Sequence, residues 1–364
     1  MSDRLKLLRT VTADLIFLAL VLTGAAVFLE LAARALQRNS RPLIPSVLDD
    51  FGGPRLEKEL DLPVKLPHYG RMQLTTDATG ARVADVTARS ANRADGILFV
   101  GDSQILGWGL NFSATAAARL AQRVHVPLER VTILAAALQD PERELSWARD
   151  YTRAHPQRLR IEVVALNLGS DPDDMYMGRA ADHLPSSGRV TSWLSHHSVA
   201  FIDFDMLRLA LEPRQKDAHV EVNYSMLLLN DTERTILAEG VAASLDRLVR
   251  ALPPADQRAI LIIPQDSQVD ASQFLKYRAL YRTDADFALH QAAEREAVRH
   301  LEAFQSNVVA RLRTRLNIPV IVLESALRAA LNQPDLIDVQ SHHLMAAGQE
   351  VAAQALAAGM GIKP

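Results

Sequence analysis

Cysteine is absent from the 364-residue sequence, which excludes a disulfide scaffold and a thiolate metal site. An excess of charge of one sign is also lacking. The formal net charge is −3, so electrostatics gives no reason to expect a nucleic-acid partner. Internal repeats and low-complexity tracts are missing as well. What remains is a chain with 48% hydrophobic residues, long enough to bury one sizeable core and to carry further segments.

The longest apolar stretch lies near the N-terminus. Residues 11–33 are long enough to cross a bilayer as a helix, and Leu15 to Leu29 within them is uncharged. Basic residues at positions 4, 6 and 9 favour a cytoplasmic N-terminus. We therefore expect a single transmembrane helix, with residues 1–10 in the cytoplasm and the bulk of the chain outside. A cleaved signal peptide is the alternative, although Ala33-Arg34-Ala35 is a poor cleavage site.

Two further parts follow the apolar segment. Residues 34–95 contain five prolines and little periodicity, which predicts a stalk and an irregular N-terminal segment. Residues 96–364 alternate short apolar runs with helical patterns, which predicts an α/β domain with a doubly wound, parallel, five-stranded sheet. The gap between Asp174 and Asn230 is long for a connection, so residues 175–230 are interpreted as an insertion over the active face.

The alternation defines the expected elements of the α/β domain. The predicted strands are Ile97–Val100, Val131–Ala135, Ile161–Leu168, Ala259–Ile263 and Pro319–Leu323. The predicted helices lie near Ala114–Val124, Glu142–Ala154, Thr232–Ala251, Ala285–Leu316 and Met345–Ala358. The strand runs are short and largely apolar, which is typical of parallel strands buried on both faces.

The most informative stretch is the end of the first predicted strand, where an apolar run stops at Gly101-Asp-Ser103. Ligands bind at the carboxyl ends of strands in open α/β sheets, and hydrolases expose a nucleophile on such a turn. Ser103 is therefore the candidate nucleophile. The pattern is not the Gly-x-Ser-x-Gly elbow, because Ile105 stands where the second glycine is expected. A strand-to-loop turn with a capping serine is the alternative.

This segment resembles the first motif block of the SGNH, or GDSL-type, esterase and acyltransferase superfamily. Thr76 to Arg82 is similar to the Asn-x-x-Gly-x-Arg stretch that often precedes it in membrane-anchored, polysaccharide-associated members. His343 to Gly348 matches the His-x-x-x-x-Gly that leads into the last helix of the family. The resemblance implies an SGNH-hydrolase-like, flavodoxin-like three-layer fold. It also implies His343 as the base, with His342 as the alternative base.

Three motif blocks depart from the family pattern. The acid is expected two or three residues before the histidine, at positions held by Gln340 and Ser341, and the nearest aspartate is Asp338. Ser170 stands where the family has an oxyanion-hole asparagine. The resemblance therefore implies the Ser170 hydroxyl and the Ser103 N–H as the donors of the oxyanion hole. The glycine of the second block has no match. The acidic group after the third strand, which includes Asp171, is interpreted as a solvated loop, so no metal site is expected.

The resemblance implies acyl chemistry with Ser103, His343 and Asp338 as the catalytic residues and with no cofactor. The expected activity is a serine-dependent esterase or O-acyltransferase, acetyl being the favoured acyl group, that acts on an extracytoplasmic polysaccharide. The expected location is the bacterial inner membrane, with the main domain in the periplasm. Expected partners are the acylated carbohydrate, the membrane and other polysaccharide-assembly proteins. The alternative is a catalytically degenerate domain that binds polysaccharide or scaffolds a synthesis or export complex.

Overall fold

The computed structural model describes residues 21–32, 41–42, 47–49, 53–56, 58–66, 70–136, 140–173, 175–176, 224–270, 272, 283–338 and 342–362. The chain divides into two units: Met1–Arg41 with Pro185–Gln215, and Pro42–Leu184 with Lys216–Pro364. Of the predicted insertion, residues 177–223 lie outside the described residues.

The first unit contributes one described helix, α1, at residues 21–32. Its large apolar side chains are exposed, with Phe28 at 70%. No helix among the described residues is long and apolar enough to cross a membrane. Of the span predicted from the sequence, residues 11–20 and 33 lie outside the described residues.

The second unit is built on a mixed sheet whose larger part is parallel. The described strands are β1 (Arg41–Pro42), β2 (Val47–Asp49), β3 (Gly53–Arg55), β4 (Asp61–Leu66), β5 (Gly70–Thr76), β6 (Arg82–Val83), β7 (Ile97–Gly101), β8 (Val131–Ala135), β9 (Leu159–Asn167), β10 (Ala255–Ile263) and β11 (Val320–Val322). The order across the main sheet runs β4-β5-β6-β8-β7-β9-β10-β11, and β2 pairs with β3 separately.

The parallel part has five strands in the order β8-β7-β9-β10-β11, so the first parallel strand along the chain lies second across the sheet. This is the flavodoxin-like order, as expected from the sequence. Every residue of β7 and β8 is buried, which explains their largely apolar sequences. All five predicted strands are present, and their ends differ from the prediction by four residues at most.

Helices connect these strands. They are α2 (Ser103–Leu106), α3 (Ala116–Arg123), α4 (Pro141–Ala154), α5 (Tyr224–Leu228), α6 (Asp231–Ala251), α7 (Asp266–Val269), α8 (Asp284–Arg315), α9 (Glu324–Ala329) and α10 (Ala346–Gly359). The connections through α3 and α4 run in opposite directions across the sheet. Because parallel crossovers are almost always right-handed, these two helices lie on opposite faces. Helix α3 packs on α10, whereas α4 packs on α6 and α6 on α8.

Residues 61–83 differ from the irregular segment expected from the sequence. Strands β4 and β5 form an antiparallel pair from Asp61–Thr75 to Leu66–Gly70, and β6 joins β5 to β8. Pro63 lies inside β4. A proline argues against a strand in sequence-based prediction, because it cannot donate a hydrogen bond to a neighbouring strand. The hairpin was therefore not predicted from the sequence.

The first turn of α10 approaches the preceding loop closely at Gly348. A Cβ at this position would lie 2.3 Å from the carbonyl oxygen of Leu336, a backbone atom that cannot move freely. We expect Gly348→Ala to lower the free energy of unfolding by about 1–3 kcal/mol, as overpacked core substitutions do. Ala358→Ser, at an exposed position of the same helix, should change it by less than about 0.5 kcal/mol. Urea denaturation of both variants checks the difference, and equal stabilities would contradict the close approach.

Candidate active site

Ser103 lies on the sharp turn between β7 and α2. Gly101 allows the chain before this turn to pass close to β9, where an added Cβ would lie 3.1 Å from the Cβ of Ala165. The Asp102 carboxylate accepts the N–H of Gln104 at 2.9 Å and caps the turn. The turn thereby carries the Ser103 hydroxyl at the carboxyl edge of the sheet.

The Ser103 hydroxyl meets a histidine from the other end of the domain. Its Oγ lies 2.8 Å from Nε2 of His343. Trp108 stacks on the His343 ring, with centroids 5.7 Å apart and planes at 18°. Glycines flank Trp108 on both sides, and both have positive φ, +72° at Gly107 and +75° at Gly109. A hydroxyl beside an oriented imidazole is the arrangement that activates a serine nucleophile.

Arg82 supports the loop that carries Trp108. Its guanidinium is fully buried and donates to the carbonyls of Leu106, at 2.5 Å, and Leu110, at 2.6 Å. Burial lowers the pKa of Arg82 to about 10, so the group stays charged at neutral pH. The arginine of the Thr76–Arg82 motif therefore fixes both ends of the Trp108 loop.

His342, the alternative base, has a different partner. Its Nδ1 lies 2.8 Å from Oδ2 of Asp266, and only 5% of the Asp266 side chain is exposed. Asp266 is the first residue of α7 and follows β10 closely. Sequence reasoning missed this aspartate, although its position after a predicted buried strand was a usable signal. Of the two adjacent histidines, His343 is the one that the structure brings to Ser103.

Asp338 lies across the loop from His343. Its backbone N–H donates to the His343 carbonyl at 2.8 Å, and its own carbonyl accepts the N–H of His342 at 2.9 Å. Ile337 and Leu344 form an antiparallel bridge next to these bonds. The backbone on the two sides of residues 339–341 is therefore paired, and this pairing brings the backbone of Asp338 beside that of His343. The role of Asp338 as the orienting acid stays a prediction.

Ser170, the expected oxyanion donor, lies in a polar cluster behind the nucleophile. Its hydroxyl accepts from Nδ2 of Asn167 at 3.0 Å and lies 3.4 Å from the carboxylate of Asp102. The same Asn167 amide donates to Asp102 at 2.7 Å. Asn167 ends β9 and was not singled out from the sequence. These contacts give Ser170 and Asn167 a common partner in Asp102, and the oxyanion role of Ser170 stays a prediction.

Comparison with known proteins gives distant structural similarities. An alpha/beta hydrolase from the metagenome of Lake Arreo matches with 13% identity and a TM-score of 0.36 over 75% of this chain and 99% of that protein. Axe2, an acetylxylan esterase from Geobacillus stearothermophilus, matches with 12% identity and a TM-score of 0.37, over 75% of this chain and 98% of Axe2.

A member of the lipolytic G-D-S-L family from Veillonella parvula matches with 10% identity and a TM-score of 0.33 over 71% of this chain and 94% of that protein. No protein-family model matches the sequence, and no curated protein matches it. At these low TM-scores, the interpretation of the site rests on its own atoms.

Two buried carboxyl groups lie behind the Ser103 turn. Burial raises the pKa of Asp102 to about 6, against the hydrogen bonds from Asn167 and Gln104 that lower it. Burial also raises the pKa of Glu144 on α4 well above its usual value of 4.5, and the charges of Asp102 and Asp140 raise it further. Both Glu144 oxygens are buried without a hydrogen-bond partner among the described residues. Glu144 is therefore neutral in the folded protein at pH values where it ionises in the unfolded chain.

This difference predicts a pH-dependent loss of stability. Below about pH 4.5 Glu144 is neutral in both states, and as pH rises further only the unfolded chain releases the proton, so stability falls. We expect Glu144→Gln to remove this fall, so that its advantage over the wild type grows by up to about 1.4 kcal/mol per pH unit above pH 5. Urea denaturation at pH 5 and pH 8 measures the trend. Glu142→Gln, at an exposed position of the same helix, is the control, and its stability relative to the wild type should not increase with pH. If the stability of Glu144→Gln relative to the wild type were the same at pH 5 and pH 8, the raised pKa of Glu144 would be contradicted.

Proposed function

We propose that this protein is an SGNH-type serine esterase or O-acyltransferase. The observation that carries the proposal is the 2.8 Å contact between Ser103 Oγ and His343 Nε2, at the carboxyl edge of a parallel sheet. A nucleophile and a base within hydrogen-bond reach are the minimum that acyl transfer needs. The contact joins residues that are 240 positions apart in the sequence.

In the proposed mechanism, Ser103 Oγ attacks the ester carbonyl while His343 Nε2 takes the hydroxyl proton. The carbonyl oxygen becomes an oxyanion, which the Ser103 N–H faces and stabilises. The tetrahedral intermediate expels the alcohol oxygen, which receives the proton from His343, and an acyl-enzyme remains. Water or a sugar hydroxyl then attacks the acyl carbon and gives its proton to His343 Nε2. The bond between Ser103 Oγ and the acyl carbon breaks, and Ser103 Oγ takes the proton back from His343.

The geometry favours this function over a degenerate binding domain. A binding domain has no need for a serine hydroxyl on an oriented imidazole, and a large separation of Ser103 from His343 would have favoured it. Trp108 stacks on the imidazole of His343, and Arg82 holds the loop that carries Trp108, so the contact is not one between two freely solvated side chains. Preorganisation of this kind is what catalysis requires.

The finer parts of the proposal rest on the resemblance of the motif residues. They are the preference for acetyl groups, the polysaccharide substrate, and attachment to the inner membrane with the main domain in the periplasm. The apolar sequence of residues 11–33 supports the attachment. The exposed apolar side chains of α1 in residues 21–32 also support it.

Labelling with a fluorophosphonate probe tests the acyl chemistry. We expect the full-length protein in mild detergent to be labelled, and Ser103→Ala to abolish the labelling. His343→Ala should slow it at least about 100-fold, because a general base contributes about 10²- to 10⁴-fold. Ser113→Ala, an exposed serine nearby, is the matched control and should label at the wild-type rate. Absence of labelling in well-folded wild-type protein would reject the enzyme and favour the polysaccharide-binding alternative.

Membrane attachment is tested by fractionating cells that express the full-length chain. We expect the protein in the membrane pellet after washing at high salt and alkaline pH, because such washes release peripheral proteins but not a transmembrane helix. A chain lacking residues 1–33 should appear in the soluble fraction. Release of the intact full-length chain by the wash would contradict the anchor.

A further inference from the structure

The adjacent histidines at 342 and 343 point to different partners. His343 contacts Ser103, whereas Nδ1 of His342 contacts the buried carboxylate of Asp266 at 2.8 Å. Asp266 belongs to α7, which follows β10, whereas Ser103 follows β7. The two histidines therefore tie one loop to the ends of two different strands.

His342 has a backbone conformation that few residues adopt. Its φ is +60°, in the left-handed region that few residues other than glycine adopt, although histidine, asparagine and aspartate do so more often than most. Such conformations persist where the surrounding structure holds them, and they cluster at functional sites. Here the N–H of His342 donates to the Asp338 carbonyl at 2.9 Å, and its ring contacts Asp266. A backbone hydrogen bond and a side-chain contact thus both hold His342 in this conformation.

Gln104 binds the same loop on either side of His343. Its Nε2 donates to the His342 carbonyl at 2.8 Å, and its Oε1 accepts the N–H of Leu344 at 2.9 Å. Gln349 of α10 donates to the Gln104 carbonyl at 2.7 Å and accepts the N–H of Ala116 at 2.9 Å. The residue that follows Ser103 is therefore fixed to the two residues that flank its base.

We propose that Asp266 and His342 are a positioning pair, which acts with Gln104 to hold the loop in the one conformation that directs His343 at Ser103. The pair also determines which of the two histidines is the base, because the Asp266 contact keeps the His342 ring away from the serine. The effect on turnover rests on the proposed function. The effect on the loop does not, and it is measurable without a substrate.

The surroundings of Asp266 make the pair a strong restraint. The carboxyl group of Glu294 lies nearby on α8, buried and bonded to the Ser267 hydroxyl and to Nε2 of Gln265. Burial raises the pKa of Glu294 to about 7, and the charge of Asp266 adds to the rise. Below neutral pH Glu294 is therefore mostly neutral, and it adds little negative charge beside the contact between Asp266 and His342. Charge-assisted hydrogen bonds in such buried places are stronger than neutral ones.

The first measurement is hydrogen–deuterium exchange of the backbone N–H groups of His342 and Leu344 in the full-length protein. We expect Asp266→Ala and His342→Gly to speed this exchange at least about tenfold, because the loop loses its contact with α7. Glycine adopts positive φ freely, so His342→Gly removes the ring without adding backbone strain. His342→Asn should restore part of the protection, because asparagine tolerates this φ and its amide can donate to Asp266.

The second measurement is hydrolysis of 4-nitrophenyl acetate. We expect kcat to fall at least about tenfold in Asp266→Ala and His342→Gly with KM within about twofold, because a displaced base slows the chemical step more than binding. The matched control is Glu162→Gln. Glu162 is an equally buried carboxyl on β9 that pairs with Arg258 at 3.2 Å, away from the carboxyl edge. This control should change neither the exchange of the loop nor kcat, whatever it does to stability.

The outcomes separate this proposal from the proposed function. Unchanged loop exchange in His342→Gly, which is the variant least prone to misfold, would overturn the positioning pair. Faster exchange in a protein whose wild type is neither labelled nor active would support the pair and reject only its catalytic consequence. Faster exchange with unchanged kcat in both variants would overturn its role in directing His343.

Discussion

All five parallel strands run in one direction, so the loops that follow them meet at a single edge of the sheet. The site depends on this constraint. Ser103 follows β7, Asn167 ends β9 and Asp266 follows β10, and no two of these residues are close in the sequence. The loop before α10 then brings His343 to the same edge, where it meets Ser103 at 2.8 Å. Three of the five strands, β7, β9 and β10, thus each bring one of these polar side chains to the edge, and the sheet fixes their spacing.

The residues on either side of Ser103 turn this edge into a fixed site. Asp102 reaches back beneath the turn to Asn167 on β9, at 2.7 Å. Gln104 reaches forward to the loop of His343, at 2.8 and 2.9 Å. A shift of the Ser103 turn would therefore strain both the sheet behind it and the loop in front of it. Asp102 and Gln104 therefore fix the backbone that carries the Ser103 hydroxyl, through contacts on either side of it.

The sequence was sufficient for the parts of the fold that depend on local patterns. The apolar runs before Ser103 and around Val131–Ala135 predicted β7 and β8, and helical periodicity predicted α4 and α6 to within about one residue. The hairpin of β4 and β5 was missed because Pro63 lies within it. Ser103 and His343 carried motif signals, whereas Asp266 had only its place after a predicted strand and Gln104 had no signal. Their importance comes from contacts between residues 76 and 238 positions apart, which no local pattern encodes.

The position of Asp338, the predicted acid, shows how spacing along the sequence differs from spacing in the fold. Asp338 is five residues before His343, whereas the resemblance leads one to expect two or three. In an open loop that spacing would carry the aspartate away from the histidine. Here the N–H of Asp338 donates to the carbonyl of His343 at 2.8 Å, so the backbones of the two residues are adjacent. An aspartate displaced along the sequence is therefore not displaced to the same extent in space. The carboxylate of Asp266, from a different strand end, contacts the neighbouring His342.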